Sequence, residues 1–533
     1  MTTSYTEAAA SERKTPRTTI PCFDPATLEP LGEVAVCLPS EVPARVEAAR
    51  NAQRRWARTT FEERREVLRK VLDHVLDHAD DLVVAVVKDA GKTRENAMLG
   101  EIWPVCEKLR HTIDHGEKAL RPETVSPGLF LHKRARIEYE PRGVVGIITP
   151  WNYPLQNILG PTIPALMAGN AVIVKVSEWT AWSASRFQQI FDEALDAVGL
   201  PRELVQVING YGDTGAALVS GGVDLVIFTG SMGNGKRIIS QSADTLTPVI
   251  LELGGKDSFI VCDDADLEQA VHAALAGVYI AAGQNCLAAE RFFVFDRIYD
   301  AFEQRVVEEV RALRQGPPLT DERVDVGAMV TPAQLDIVEG LVKDAVEKGA
   351  RVLVGGERRL TDQGQYFAPT ILTDVTPDMA IMQEETFGPV MVLSRVRDEV
   401  EAVDRANETQ FGLGCTILTK SRSRARRLSK AVRCGNVSVN DFGFTYMAMD
   451  LPFGGTKGSG FGRLNGRDGI RACTNPKAVL VDRFPMHQPS KLYPVGPKDY
   501  DLARGVIRTL YGRGVKGKLR GLGDLAKTLL GRR

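Results

Sequence analysis

The chain has 533 residues, with 67 lysines and arginines against 68 aspartates and glutamates, and its formal net charge is -1. This balance provides no overall field to attract a polyanion, which excludes a general nucleic-acid-binding protein. The length corresponds to roughly two or three globular domains, and 44% hydrophobic with 25% charged residues is the composition of a globular protein.

The N-terminal segment and the cysteines indicate the compartment. Residues 1–20 are polar, are predicted to be disordered, and lack the apolar core of a secretory signal. No run approaches the roughly 18 apolar residues of a membrane span. The eight cysteines show no paired spacing, so we predict neither a metal site nor a disulfide framework and expect a reducing, cytoplasmic location.

The elements predicted along the chain indicate an α/β fold. Helical spacing of apolar residues marks amphipathic helices between about residues 41 and 120. Short β-rich runs, among them GVVGIITP, NAVIVKVS, DLVIFTG and PVILELGG, then alternate with helical stretches. A second alternating series follows Gly255 and includes the helix-like run ADLEQAVHAALAGVYIAAG. Strands that alternate with helices predict parallel sheets in two α/β units.

Three short motifs each contain a side chain that is a candidate for a catalytic role. Cys286 in AGQNCLAAER is either a buried small hydrophobe or a reactive thiol. Glu252 in LELGGKDS ends an apolar strand before two glycines, and is either a presented carboxylate or a surface glutamate. The Asn152 amide in TPWNYPL is able to donate to an oxyanion.

Two glycine-rich turns are candidates for phosphate binding. In FTGSMGNGK a strand runs into a glycine-rich turn and then a helix, an arrangement that directs backbone N–H groups at phosphate. NGYGDTGAALV matches the GxGxxG pattern at Gly210, Gly212 and Gly215. The acid expected about twenty residues later is missing, so this match alone is weak.

In this order the motifs resemble the aldehyde dehydrogenase superfamily, and the resemblance covers the chain from about residue 20 to 485. Further matches are KVSE at Lys175 to Glu178, EETFGPV at Glu384 to Val390, and PFGGTKGSGFGR at Pro452 to Arg463. The final portion looks most like the branch that includes plant and fungal members of the family twenty-two type.

The resemblance implies an aldehyde dehydrogenase-like architecture: a Rossmann-type cofactor domain, an α/β catalytic domain and a small β oligomerisation arm. The implied boundaries are 21–132 with 147–252 for the NAD-binding domain, 253–465 for the catalytic domain, 133–146 with 466–485 for the arm, and 486–533 for a basic C-terminal extension.

The resemblance also implies roles for single residues. Cys286 is the expected nucleophile, Glu252 the expected general base, and the Asn152 amide with the Cys286 backbone N–H the expected oxyanion hole. The implied cofactor-binding residues are Thr149, Trp151, Lys175, Glu178, Gly212, Gly230, Ser231, Gly235, Leu253, Glu385 and Phe387.

The expected reaction is NAD-dependent oxidation of a small-molecule aldehyde to a carboxylic acid. Glu178 favours NAD, because a carboxylate at the ribose repels the 2′-phosphate of NADP, but nearby Arg186 is a counterweight that leaves NADP open. A CoA-acylating dehydrogenase, a thiol esterase and a non-catalytic scaffold are the alternatives. Glu252 argues against the first, and the dinucleotide contacts argue against the second.

Two features beyond the site predict interactions with partners. The alternating segment from Lys133 to Arg142 and the run CTNPKAVLVDRF form strand edges that a second copy would cover, so we expect a homo-oligomer, a dimer or a tetramer. The extension 486–533 has eleven basic and three acidic residues and leucines at helical spacing, which predicts two amphipathic helices separated by glycines 512, 514 and 517. These helices either pack on the enzyme or attach reversibly to an anionic membrane.

Overall fold

The computed structural model describes residues 17–321, 323–359, 364–484 and 493–531. The chain divides into a larger unit, Met1–Pro122 with Glu138–Lys477, and a smaller unit, Glu123–Ile137 with Ala478–Arg533. All predicted catalytic and cofactor-binding residues belong to the larger unit. Among the described helices, none has the length and apolar character needed to cross a membrane.

The described strands, in chain order, are β1 (Thr19–Phe23), β2 (Pro30–Ala35), β3 (Glu123–Val125), β4 (Lys133–Pro141), β5 (Val144–Ile148), β6 (Ala171–Lys175), β7 (Val205–Ile208), β8 (Leu225–Gly230), β9 (Val249–Leu253), β10 (Asp257–Val261), β11 (Ala289–Phe295), β12 (Arg351–Val354), β13 (Thr370–Thr373), β14 (Val390–Val396), β15 (Gly414–Leu418), β16 (Asn436–Val439), β17 (Gly460–Phe461) and β18 (Thr474–Asp482).

The described α-helices are α1 (Val42–Trp56), α2 (Phe61–Asp77), α3 (Ala79–Ala90), α4 (Arg94–Ala97), α5 (Trp103–Leu120), α6 (Pro154–Met167), α7 (Ala184–Asp196), α8 (Gly212–Ser220), α9 (Met232–Ser242), α10 (Leu267–Tyr279), α11 (Asp296–Ala312), α12 (Pro332–Glu347), α13 (Ala380–Gln383), α14 (Glu399–Asn407), α15 (Arg422–Ala431), α16 (Phe444–Met447), α17 (Gly466–Ala472), α18 (Asp499–Tyr511) and α19 (Gly514–Leu529).

Two sheets, each parallel except for one edge strand, organise the larger unit, and the α/β class is confirmed. The first has the order β17-β9-β8-β5-β6-β7, and the second has the order β12-β13-β14-β11-β10-β15-β16. Every residue of β5 and of β6 is buried. Such strands read as continuous apolar runs because helices cover both faces of a parallel sheet, and each sheet has its own large hydrophobic core.

The predicted boundaries differ from the structure in several places. Strand β5 is the apolar centre of the first sheet, so the arm predicted at 133–146 extends too far. Residues 466–473 include Ile470 and Cys473, which are buried in the core of the first sheet. Strand β17, assigned by prediction to the catalytic domain, pairs antiparallel with β9 and completes the first sheet.

The chain termini also differ in part from expectation. Residues 1–16 of the predicted disordered segment lie outside the described residues, but β1 already begins at Thr19 and Ile20 is buried. The three-stranded sheet β18-β4-β3 includes a strand, β3, that precedes the predicted arm. In the extension, Gly514 begins α19 and Gly517 lies inside it, so the turn between α18 and α19 is shorter than predicted.

Candidate active site

The last residues of β5, β6, β8 and β9 line one cleft of about 680 Å³ in the larger unit. Ligands of parallel α/β sheets bind at this edge, outside the carboxyl ends of the strands. Every predicted site residue except Gly235 lines the cleft. The predicted residues found there are Thr149, Trp151, Asn152, Lys175, Glu178, Gly212, Gly230, Ser231, Glu252, Leu253, Cys286, Glu385 and Phe387.

Gly235 has a packing position instead. It is buried in the first turns of α9, and a Cβ atom there would lie 2.8 Å from the side chain of Leu253. The absence of a side chain therefore allows α9 to approach β9 closely. The cofactor-binding role of Gly235 stays a prediction.

Cys286 lies in a loop between α10 and β11, after a strongly twisted stretch. Ala281 and Ala282 have φ values of 51° and 54°. A non-glycine residue in this left-handed region costs on the order of 1–2 kcal/mol, so tertiary contacts must hold the turn. The Ala281 N–H donates to Asn96 Oδ1 at 2.8 Å. The predicted helical run before Cys286 therefore ends early, at Tyr279.

Gln284 holds both this loop and the side chain of Asn152 in place. Its Nε2 donates to the carbonyl oxygens of Ala281 and Ala328, and its Oε1 accepts from the Val330 N–H at 2.9 Å. The Gln284 carbonyl accepts from Asn152 Nδ2 at 3.1 Å, which orients the Asn152 amide. Sequence reasoning missed Gln284, although it stands two residues before Cys286 in the same motif.

Glu252 is a buried carboxylate on β9. It lies between Thr229 of β8 and Gly460 of β17 in the sheet register. Its side chain is 4% exposed, and Oε1 has no hydrogen-bond partner among the described residues. Burial raises the pKa of Glu252 to about 7, and a hydrogen bond with Cys286 opposes part of that rise. A group with this pKa exchanges protons readily near neutral pH.

The surroundings of Cys286 favour the neutral thiol over the thiolate. Burial raises its pKa well above the usual value, and the carboxylates of Glu252, Asp257 and Glu385 raise it further. Since the thiolate is the nucleophilic form, attack by Cys286 requires a nearby proton acceptor. Glu252 is such an acceptor in the same cleft.

The two glycines after Glu252 permit close approach of two site residues. A Cβ atom at Gly254 would collide with the Glu385 carboxylate, and one at Gly255 would collide with the Cys286 carbonyl. The Gly255 N–H donates to Glu385 Oε1 at 2.9 Å. Burial, assisted by neighbouring Glu290, raises the pKa of Glu385 to about 8.

A buried ion pair holds the loop that carries Glu385 and Phe387. Lys256 Nζ lies 2.6 Å from Glu290 Oε2. The Glu290 carboxylate accepts the N–H groups of Thr386 and Phe387, each at 2.8 Å. Phe387 then packs edge-on against Trp151, with ring centroids 5.4 Å apart. Sequence reasoning missed this pair, although Lys256 and Glu290 stand in the Glu252 and Cys286 motifs.

Lys175 and Glu178 form a polar corner of the cleft. Lys175 Nζ lies 3.7 Å from Glu178 Oε2, and their side chains are 6% and 33% exposed. Burial lowers the pKa of Lys175, and Glu178 opposes the change. Within the described residues this Nζ makes no closer hydrogen bond. A buried donor beside a carboxylate fits the hydroxyl groups of a ribose.

Two helix N-termini meet the same cleft. Gly212 begins α8 and has open space where a Cβ atom would be, and Ser231 caps α9 by accepting from the Asn234 N–H at 3.4 Å. Helix N-termini with small residues are anion-binding sites. These residues together fit a dinucleotide with two phosphates.

The arginine that lines the cleft is Arg237, whereas the arginine predicted to lie near the ribose is Arg186. The guanidinium of Arg186 lies over the ring of Trp182 at 5.3 Å and does not line the cleft. Arg237 of α9 does line it and donates to Asn234 Oδ1 at 3.1 Å. The spacing of apolar residues in GKRIISQS does not indicate that Arg237 lines the cleft.

Comparison with known proteins places this geometry in a family. The sequence model of the "Aldehyde dehydrogenase family" matches residues 11–479 of this chain. The chain belongs to the aldehyde dehydrogenase family. The superfamily resemblance and the fold class are thereby confirmed, and oxidation of aldehydes with a nicotinamide dinucleotide is the general activity that the family supports. The family twenty-two branch stays a prediction.

Individual relatives cover nearly the whole chain. An aldehyde dehydrogenase-like protein of Schizosaccharomyces pombe is 38% identical over 93% of this chain and 96% of its own length. A protein of a Methylomonas species named 4,4'-diapolycopene aldehyde oxidase is 35% identical over 93% of this chain and 92% of its own. The NAD+ complex of an aldehyde dehydrogenase from Bacillus cereus is 33% identical, with a TM-score of 0.83 over 87% of this chain and 94% of that one.

Proposed function

We propose that the protein oxidises an aldehyde to the carboxylic acid with NAD as electron acceptor, through a covalent adduct on Cys286. One observation carries the proposal. The Glu252 carboxylate is buried in the same cleft as Cys286, has no hydrogen-bond partner at Oε1 within the described part of the chain, and has a pKa raised to about 7. A base of this kind serves both a thiol nucleophile and a hydrolytic water.

The side chains divide the chemistry as follows. Cys286 passes its proton to Glu252 and attacks the aldehyde carbonyl carbon, which forms a thiohemiacetal. The Asn152 amide and the Cys286 backbone N–H donate to the developing oxyanion, and one such donor is worth about 2.7–4 kcal/mol. The dinucleotide, when bound, supplies the hydride acceptor. Loss of the hydride converts the thiohemiacetal into a Cys286 thioester. Glu252, having released the cysteine proton to solvent, then removes a proton from the water that attacks this thioester, and Cys286 leaves as the thiolate.

Named residues of the cleft would hold the dinucleotide. Lys175 and Glu178 would contact the adenine ribose, and the N-terminus of α9 at Ser231 would contact the pyrophosphate. Glu385 and Phe387 would contact the nicotinamide end. NAD is proposed over NADP because Glu178 repels a 2′-phosphate, with Arg237 as the opposing charge in the cleft.

The alternatives use the same cysteine. A CoA-acylating dehydrogenase would end with thiol transfer and would have no need of a buried base such as Glu252. A thiol esterase would have no need of Lys175, Glu178 and Glu385 in a dinucleotide cleft. A non-catalytic scaffold would gain nothing from burying the Glu252 carboxylate with Oε1 unpartnered among the described residues, because such burial is costly in itself.

The formation of NADH tests the proposal. Purified protein is mixed with NAD or NADP and an aliphatic, an aromatic, a semialdehyde or an apolar polyene substrate, with and without CoA. The polyene is included because of the name of the Methylomonas relative. We expect NADH and carboxylic acid in equal amounts without CoA. NADH only with CoA, or ester hydrolysis without NADH, would replace the proposal by the corresponding alternative.

Replacement of Glu178 by alanine is expected to relax cofactor choice. Removal of the carboxylate removes its repulsion of the 2′-phosphate, so the NAD/NADP ratio of kcat/KM should fall roughly tenfold or more, as for a loss of 1.4 kcal/mol. Glu203→Ala, at an exposed position outside the cleft lining, is the matched control and should keep the wild-type ratio. An unchanged ratio in Glu178→Ala would assign the preference to another residue.

Assembly and location remain part of the proposal. Strand β18 is an edge strand of its sheet, and seven of its nine side chains are exposed. Pairing of this edge with a second copy would give a dimer or tetramer, so light scattering should report two or four times the chain mass of 58.3 kDa, and a mass of one chain would contradict it. A cytoplasmic location is proposed because all eight cysteines are free.

A further inference from the structure

The C-terminal helices α18 and α19 form a hairpin held together by glycines. Gly505 and Gly521 are buried between the helices. A Cβ atom at Gly505 would lie 2.7 Å from the Leu525 side chain, and one at Gly521 would collide with the backbone of Thr509. The contact between the helices is therefore made at close range by their smallest residues.

This packing leaves most of the large apolar side chains on the outside. At 3.6 residues per turn, Leu525 lies on the same face of α19 as Gly517 and Gly521, whereas Val515, Leu519, Leu522 and Leu529 lie on another face. The exposed apolar residues of the hairpin, with exposed fractions from 43% to 75%, are Val506, Ile507, Leu510, Tyr511, Val515, Leu519, Leu522, Leu529 and Leu530. Exposed large apolar side chains concentrated in one hairpin are typical of an interaction site.

Basic residues flank the apolar face, and several of them are not neutralised by an acidic neighbour in the described chain. The two acidic groups nearest to the helix contact are already paired, Asp501 with Arg504 and Asp524 with Arg508, each at 2.7 Å. Exposed Lys516, Lys518 and Arg520 form no salt bridge within the described residues. The hairpin therefore presents apolar side chains together with uncompensated positive charge.

We propose that this hairpin binds the surface of anionic lipid bilayers. A helix with an apolar face and lysines or arginines beside it lies in the membrane interface, where the apolar face enters the acyl boundary and the cations meet lipid phosphate. Helix α19 carries four basic residues in 16 positions, which suits the interface and not the bilayer interior. A protein partner would require a complementary acidic surface, whereas an anionic bilayer presents one everywhere.

Membrane binding would define the substrate class. An aldehyde dehydrogenase held at a bilayer reaches aldehydes that are too apolar to dissolve in water. This consequence rests on the proposed function, whereas lipid binding itself does not. The test therefore measures lipid binding without turnover and uses turnover of a water-soluble aldehyde only to verify that each variant is folded.

Co-sedimentation of the full chain with vesicles tests the proposal. We expect binding to vesicles of phosphatidylcholine with 30% phosphatidylglycerol, weaker binding to phosphatidylcholine alone, and a decrease as salt rises. The triple variant Lys516→Gln, Lys518→Gln, Arg520→Gln should bind on the order of 100-fold more weakly, since each basic residue contributes about fivefold. The control, Arg422→Gln, Arg426→Gln, Lys430→Gln, removes the same charge from α15 and should bind like the wild type.

A second pair of variants tests the apolar face. Leu519→Ser with Leu529→Ser should lose binding to anionic vesicles even at low salt. Leu76→Ser with Val400→Ser changes two equally exposed apolar residues, on α2 and α14, and should keep it. Equal binding by all four variants and the wild type, or no binding to any vesicle, would overturn the proposal. A change in assembly mass in the Leu519 and Leu529 variant without any effect of lipid would do so too, and would assign the face to a second copy of the chain.

Discussion

Cys286→Ala is expected to abolish NADH formation, with kcat/KM lower by at least about 10⁴-fold. Without the thiol no covalent adduct forms, and the aldehyde cannot be held as a hydride donor. Cofactor binding should change little, because Lys175, Glu178 and the N-terminus of α9 are intact. Quenching of the fluorescence of Trp151 and Trp179, which both line the cleft, measures that binding.

The matched control for this variant is Cys106→Ala. Cys106 is a partly buried free thiol on α5 that does not line the cleft, so its replacement should leave turnover within a few-fold of the wild type. Normal turnover by Cys286→Ala would contradict the proposed mechanism. Loss of both NADH formation and cofactor binding would indicate a folding defect instead, and Cys286→Ser would then be the informative variant.

The buried strands could be predicted from the sequence because of the physics of parallel sheets. Strands β5, β6, β8 and β9 are covered on both faces, so each consists mainly of apolar residues, and the polar ones stand at or near its carboxyl end. The polar residues that follow such runs lie at one edge of the sheet, which is why Lys175 and Glu252 meet in one cleft.

Elements that depend on distant contacts could not be predicted. The turn at Ala281 and Ala282 interrupts a sequence with good helix formers, because Asn96 and Gln284 hold it in a left-handed conformation. Tertiary contacts here override local propensity. Strand β17 is too short and too rich in glycine to be recognised before its pairing with β9 is seen.

The site residues also divide into those that could be predicted from the sequence and those that could not. Cys286, Glu252 and Asn152 were found through family motifs, not through composition or spacing. Lys256 and Glu290 stand in the same motifs, yet nothing local indicates that they pair across the chain. The misplaced expectation for Arg186 has a similar origin, because the position of its side chain depends on the ring of Trp182.

Glu252→Gln is expected to slow steady turnover by about 10²–10⁴-fold, while a first burst of NADH persists at a reduced rate because Cys286 must then lose its proton to solvent. The amide cannot accept a proton from water, so the Cys286 thioester accumulates after one turnover. Glu384→Gln, an exposed neighbour of Glu385 outside the cleft lining, is the control and should behave like the wild type. Stopped-flow absorbance separates the burst from the steady rate.

The pH profile distinguishes a base from a structural group at this position. The carboxylate form of Glu252 is the base, and burial raises its pKa to about 7, so wild-type kcat should rise as the pH increases through that value. In Glu252→Gln the rise should vanish, because the group that titrates is gone, whereas a purely structural role would lower the rate and leave the profile in place. If the variant kept both the wild-type rate and the rise near pH 7, deprotonation of the hydrolytic water would have to be assigned to another group, and Glu385, with a pKa raised to about 8 in the same cleft, would be the next to replace.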